Sequence, residues 1–274
     1  KKTHLNKRII CLILSLLLMP IPIEIIPSST AYAYDYLSRG IDVSAYQKDI
    51  DWDAVANDGI DFAIIRAGYG NTNAYPKQKD TYFDYNLTNA KRVGIKCGVY
   101  WFCYATSVEA AYEEADSCYN IIKGIDLDYP VYVDVEDEKS HVLINAFGKN
   151  KAKITEMTLA FCNRLASYGI KVGVYSNKDW FTNYIDKNQI INSGYEIWLA
   201  HYPSAEYVVT PDEYDKSSEC GIWQYSSIGS VSGINGNVDV DVSYIDYAPY
   251  TDFGETDTSG QYTTKDVTTN LNIR

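Results

Sequence analysis

Residues 129–139 read YPVYVDVEDEK, and the alternation at their centre decides the fold. In an extended strand, successive side chains point to opposite faces. Val131, Val133 and Val135 therefore share one face, while Tyr132, Asp134 and Glu136 share the other. The valine face reads as a buried strand. Two carboxylates nevertheless leave it side by side, and an isolated charge in a protein interior is very costly. The strand must end where its acids are useful.

Working outward from this stretch, strand-like runs recur at 40–44, 62–68, 98–104, 131–136, 172–176, 196–201, 221–225 and 238–242. Several are β-branched or aromatic and bounded by glycine. Helical runs separate the earlier ones. Residues 107–122 place Ala111, Ala115, Cys118 and Ile122 on one stripe, with Thr106 and Glu109 as a capping box. Residues 151–168 place Ile154, Met157, Phe161, Leu165 and Tyr168 on another, stopped by Gly169. Shorter helices fit 52–58 and 85–93. Strand–helix alternation predicts a parallel sheet of βαβ units. Eight strands with little helix among the last three predict an α/β fold: a flattened, incomplete (β/α) barrel of the TIM-barrel type with fewer helices. A doubly wound open sheet is the alternative.

The chain has 274 residues, room for one large domain or two small ones. Residues 1–33 read as a signal peptide: a basic start (Lys1, Lys2, Lys7, Arg8), an apolar run over 9–19, and an A-x-A site at Ala31–Ala33. The apolar run is too short for a spanning helix. An uncleaved membrane anchor is the competing reading. Residues 1–33 hold four of the 24 Lys/Arg and one of the 36 Asp/Glu, so the remainder has a formal net charge of −15. Such a surface repels nucleic acid and anionic membranes. A neutral or mixed-charge ligand, bound by stacking and hydrogen bonds, is expected, with no stable membrane association once the signal is removed. Cys97, Cys103, Cys118, Cys162 and Cys220 remain beyond the signal. Their number is odd, their spacing fits no zinc pattern, and their apolar settings predict buried free thiols.

Chemistry in a barrel sits where the strands end. Asp42, Asp134, Glu136 and Asp239 are placed there as the candidate catalytic acids. Crowded carboxylates in a partly dry cleft push one another's pKa values apart, so that one stays protonated while its neighbour is ionised. Glycosidic cleavage requires that division of labour. Calcium held by the loop over 134–138 is the competing explanation. Tyr69, Tyr100, Trp101, Tyr104, Tyr175, Trp198, Tyr202, Trp223 and Tyr225 accompany the acids. Sugar faces stack on such rings, and strand parity sends about half of the rings elsewhere.

These residues also carry a resemblance. Gly40-Ile41-Asp42-Val43-Ser44 with Gln47 and Ile50-Asp51-Trp52 is similar to the opening of glycoside hydrolase family 25. FAIIRAGYG over 62–70 resembles its second strand, and Gly98-Val99-Tyr100-Trp101-Phe102 its third. Asp134-Val135-Glu136 is similar to its acid pair, and Trp223-Gln224-Tyr225-Ser226-Ser227 with Gly233-Ile234 and Val238-Asp239 to its closing signature. The resemblance spans residues 39–248, the expected catalytic domain. It implies a secreted lysozyme of the N-acetylmuramidase type, acting as a monomer on peptidoglycan glycan strands without metal or organic cofactor. It implies that Glu136 is the general acid. Asp134 is its partner, as nucleophile or as support for the substrate's own acetamido group, and Asp42 and Asp239 flank them. Arg66, Tyr69, Tyr100, Tyr175, Trp198 and Gln224 are the expected substrate-binding residues. A non-catalytic wall-binding protein and a chitinase-like glycosidase are the alternatives. Two departures stand out: Lys48 where many members have Gly, and Asp241 where many have Asn.

Residues 249–264, rich in Thr, Asp, Gly and Ser, read as a linker. The ending VTTNLNIR resembles the first strand of bacterial SH3-type wall-binding domains, so 265–274 is expected to open a truncated domain of that kind. A tail without structure is the other reading.

Overall fold

The structure, a computed structural model, describes residues 36–70, 78–137 and 141–247. The expected signal peptide, linker and wall-binding strand lie outside these residues, as does Cys11.

All eight expected strands are present: β1 (Ser38–Val43), β2 (Phe62–Tyr69), β4 (Lys96–Phe102), β5 (Val131–Asp134), β6 (Val172–Asn177), β7 (Glu196–Ala200), β8 (Ile222–Gly229) and β9 (Val238–Ser243). A two-residue strand, β3 (Gln78–Lys79), flanks β2. Each of the eight pairs with its neighbours in the order β1-β9-β8-β7-β6-β5-β4-β2, and β1 pairs with β2 to close the ring. Closure excludes the doubly wound open sheet. Seven strands run parallel, and β9 runs antiparallel to both β8 and β1. The segment between β8 and β9 is too short for a parallel crossover of a dozen or more residues, so the chain returns directly.

The helices are α1 (Trp52–Asn57), α2 (Phe83–Arg92), α3 (Val108–Ile122), α4 (Val142–Phe147), α5 (Lys151–Ala166), α6 (Lys178–Asn183) and α7 (Lys187–Asn192). Only a single 3₁₀ turn, Pro211–Glu213, interrupts the path from β7 to β8, and no described helix lies between β8 and β9. The final third is therefore stripped of its helical layer, as the sequence predicts. The α3 cap differs by one residue. Ser107, in extended geometry, accepts a hydrogen bond from the Ala110 amide at 3.1 Å. That makes Ala110 the third helical residue, so Glu109 falls one position short of a capping box.

Strand parity sorts the side chains into two cores. Ile41, Val43, Val131, Val133, Val135, Trp101 and Trp223 belong to the outer core between barrel and helices. Phe62, Ile64, Tyr132, Tyr175, Trp198 and Ile222 fill the barrel interior. Glycines make room for these rings. A Cβ at Gly40 would lie 2.2 Å from the Phe62 ring, and one at Gly173 would lie 2.4 Å from Tyr132. The cysteines Cys97, Cys103, Cys118, Cys162 and Cys220 are buried and free, as expected. Burial pushes the Cys97 and Cys220 thiols up to about 12, which leaves them without nucleophilic character near neutral pH.

Candidate active site

The inward face of the strands carries polar groups at the barrel mouth. Asp42, Arg66, Tyr100, Asp134, Glu136, Tyr175, Trp198, Gln224 and Asp239 line one cleft of about 220 Å³, joined by Tyr46, Gln47, Phe102 and Tyr202. Nine of the ten sequence-predicted site residues thus come together. The exception is Tyr69. Its ring packs on the Arg66 guanidinium at 5.2 Å instead of lining the cleft. Trp101 and Trp223 face outward. The Trp101 indole N–H donates to buried Glu114 at 2.7 Å, and Trp223 donates to the His201 carbonyl at 2.8 Å.

Asp239 requires a correction. It sits at the start of β9, not at a strand's C-terminal end. Because β9 is antiparallel, its start meets the ends of the other strands, and Asp239 lies directly opposite Asp42 in the register. Asp134 ends β5, cross-strand from Phe102 and Tyr175. Glu136 lies two residues further on. Its Oε2 accepts from Asn177 Nδ2 at 3.0 Å, while Asn177 Oδ1 accepts from the Trp180 amide at 3.1 Å. The cap of α6 therefore fixes which end of the amide faces Glu136. Asp137, turned away from the cleft by strand parity, is tied to the next helix. Its carboxylate accepts from the Leu143 and Ile144 amides at 2.8 and 2.7 Å and holds the start of α4.

A second network fixes the floor. Gln224 Oε1 accepts from the phenols of Tyr175 at 2.9 Å and Tyr202 at 2.6 Å. Its Nε2 is thereby turned to donate to Asp42 Oδ2 at 2.6 Å. Trp198 Nε1 donates to Asp241 Oδ1 at 2.8 Å. Burial, then the charges of Asp239 and Asp241, hold the Asp42 carboxyl well above the usual range, against the pull of Gln224. Burial pushes Asp239 up to about 6. Asp241 is also held well above the usual range, by burial first and then by Asp239. Burial and the neighbouring acids likewise raise the phenols of Tyr100, Tyr175 and Tyr202, so they remain donors.

The cation at this mouth is neutralised. Arg66 Nε donates to buried Asp80 at 2.7 Å, and its guanidinium lies between the rings of Tyr46 and Tyr69. Asp80 also accepts from the amides of Ala45 and Tyr82, so it ties the loop after β1 to the arginine. Among the described residues, no group of three or more His, Cys, Asp or Glu is arranged to hold a metal ion.

Sequence reasoning missed Asn177, Gln47 and Asp80 and left Tyr46, Phe102 and Tyr202 out of the site. Asn177 had a signal: it shares the inward parity of Tyr175. Asp80 had none, because nothing in the sequence marks the two-residue strand β3 that pairs with β2 and returns Asp80 to Arg66.

A closed barrel whose mouth collects carboxyls, amides and rings defines a class, the carboxylate-bearing barrel glycosidases. The chain belongs to glycosyl hydrolases family 25, whose model matches residues 41–234. It is 31% identical over 206 residues to the autolytic lysozyme of Clostridium acetobutylicum, covering 74% of this chain and 55% of that protein. Among solved structures, it is similar to the bacterial lysozyme of Streptomyces coelicolor (27% identity, TM-score 0.60, 74% of this chain and 90% of that one). It is also similar to the modular autolysin LytC of Streptococcus pneumoniae, solved with a synthetic peptidoglycan ligand (26% identity, TM-score 0.62, 76% of this chain). The chain spans 46% of LytC, so about half the length of these two autolysins.

Proposed function

We propose that this chain is a lysozyme that hydrolyses the β-1,4 bond between N-acetylmuramic acid and N-acetylglucosamine in bacterial peptidoglycan. The carrying observation is the position of Glu136 and Asp134 at one end of β5, inside a cleft walled by tyrosines. The similarity to lysozymes and autolysins supports the same substrate.

Glu136 protonates the glycosidic oxygen. The Asn177 N–H donates to Glu136 Oε2 and holds the carboxyl at the cleft. Asp134 stays ionised and supports the positive charge that develops at the sugar carbon, by attacking it or by orienting the acetamido oxygen. Asp42 and Asp239 hold substrate and water and tune the charge of the cleft. Tyr46, which is 75% exposed at the cleft edge, offers a face for a sugar ring. Residues 1–33 direct export, and the enzyme acts outside the cell or at the wall as a monomer.

The test is mass spectrometry of purified peptidoglycan digested by this chain. Products with reducing muramic acid are expected. Reducing glucosamine would indicate a glucosaminidase, and intact glycan would leave a wall-binding protein without hydrolytic activity.

A further inference from the structure

Asp80 is buried beside the cleft, and the reaction scheme above does not use it. It follows the two-residue β3, which pairs with Gly68 and Tyr69 of β2. Gly68 permits that approach, since a Cβ there would lie 2.4 Å from the Gln78 carbonyl oxygen. The Asp80 N–H then donates to the Ala67 carbonyl at 2.9 Å, which sets its side chain beside Arg66. Three N–H groups converge on that side chain. Oδ2 accepts from Arg66 Nε at 2.7 Å and from the Ala45 amide at 3.1 Å, and Oδ1 accepts from the Tyr82 amide at 2.8 Å.

Two of these tethers lead into the cleft. Arg66 lines it, and so do Tyr46 and Gln47 of the loop that starts at Ala45. Within that loop, the Tyr46 amide donates to Ser44 Oγ at 3.2 Å, and Gln47 Oε1 accepts from the Ser44 amide at 2.9 Å. Among the described residues, the Ala45–Asp80 hydrogen bond alone links residues 45–47 to a distant part of the chain. The Tyr46 ring lies over the Arg66 guanidinium at 5.1 Å and is otherwise 75% exposed. One carboxylate therefore fixes both members of the stack, the arginine through Nε and the tyrosine through the loop amide.

We propose that Asp80 is a positioning residue for substrate binding: it holds Tyr46 against Arg66, so that the exposed ring stands ready as a sugar platform on the β1–β2 side of the cleft. The assignment rests on the reading of this cleft as the glycan site. A ring so exposed has little packing of its own, and its orientation has to come from the groups beneath it. Fixing it in advance lowers the ordering cost of binding. It leaves the bond-breaking step at Glu136 alone. Only a carboxylate serves all three donors. Asparagine has one acceptor oxygen, and its NH₂ group would face a donor.

The experiment measures kcat and KM by reducing-end release from soluble peptidoglycan strands for wild type, Asp80→Asn, Tyr46→Ala and the double variant. Tyr46→Ala is expected to raise KM about fivefold to tenfold. Asp80→Asn should raise KM by a similar factor and leave kcat nearly unchanged, the mark of binding made equally in ground and transition states. In the double variant the rise should fall well short of the product of the two, because Asp80 acts through a ring that is already gone. Factors that multiply in full overturn the proposal. So does an Asp80→Asn chain that loses kcat at unchanged KM. If Asp80→Asn does not fold, Ala45→Pro removes the loop tether alone, since residue 45 is second in the turn closed by Ser44 and Gln47, where proline fits. Ala45→Pro should raise KM when Tyr46 is present and not in Tyr46→Ala, and an unchanged KM overturns the proposal. If wild type releases no reducing ends, the lysozyme reading fails separately. Co-sedimentation with purified peptidoglycan then reads the same coupling from affinities. A wild type that neither cleaves nor sediments overturns both.

Discussion

At the scale of single residues, Glu136 and Lys48 show how one position can be set by its neighbours. Glu136 meets an amide whose other end is locked by a helix cap, so it is the amide N–H that faces its Oε2. Glu136→Gln removes the acid's proton and retains the shape. Lysis of purified walls, followed as turbidity, is expected to drop roughly 10²–10⁴-fold, the usual contribution of a positioned acid. The thermal midpoint should hardly move. Lysis near the wild-type rate would remove Glu136 from the acid role. Lys48 occupies the position where the family resemblance leads one to expect glycine. Its φ is 57°, in the left-handed region that costs an L-residue about 1 kcal/mol. Lys48→Gly is expected to leave stability unchanged or raise it by about 1 kcal/mol, read from the urea midpoint. A clear loss would mean that the lysine side chain itself holds the turn.

At the scale of elements, β5 and β9 show what alternation reveals. In both strands, every second residue is an aliphatic of the outer core and the intervening acids face inward. That parity is open in the sequence, so alternation and strand ends alone gather Asp42, Asp134, Glu136 and Asp239. Strand direction is a different matter. Parity is the same read forward or backward, so Asp239 was placed at the wrong end of its strand but at the right mouth. Only the short connection from β8 distinguishes the two. Asn177 shows only its parity, because its partner Glu136 lies 41 residues away on another strand end, and Asp80 shows nothing, because the short β3 that returns it to Arg66, 14 residues away, carries no mark in the sequence. The inner glycines make the packing of these strands testable. Gly173→Ala would force Tyr132 aside, at a cost of about 1–3 kcal/mol. Tyr132 packs edge-on against Trp198, with ring centroids 5.3 Å apart, and Trp198 holds Asp241. The mutant should therefore lose rate as well as stability. A fully active protein of lowered midpoint would show that the cleft floor is insulated from the interior below it.

At the scale of the whole molecule, the distribution of charge sets the response to pH. The formal net charge is −12, and the described ion pairs of Lys and Arg do not include Asp42, Asp239 or Asp241. Folding therefore takes three carboxyls into the barrel without a matching cation, and protons make up the difference. Asp239 titrates near 6 when folded and near 3.9 when unfolded. A raised value of this kind contributes stability that is present below about 3.9 and lost as pH rises through about 6. Asp42 and Asp241 shift in the same direction and extend the loss to higher pH. The thermal midpoint of wild type should thus fall from pH 5 to pH 8, opposite to a protein whose carboxylates are salt-bridged. Growing repulsion across an acidic surface has the same sign, so the slope alone does not identify the source. Asp239→Asn separates the two, because it removes the titration at 6 and leaves the rest of the surface untouched. Its midpoint should fall less than that of wild type between pH 4 and 6 and run parallel to it above 7. If the two curves are parallel throughout, surface repulsion accounts for the slope and Asp239 is ionised in the folded protein at pH 5.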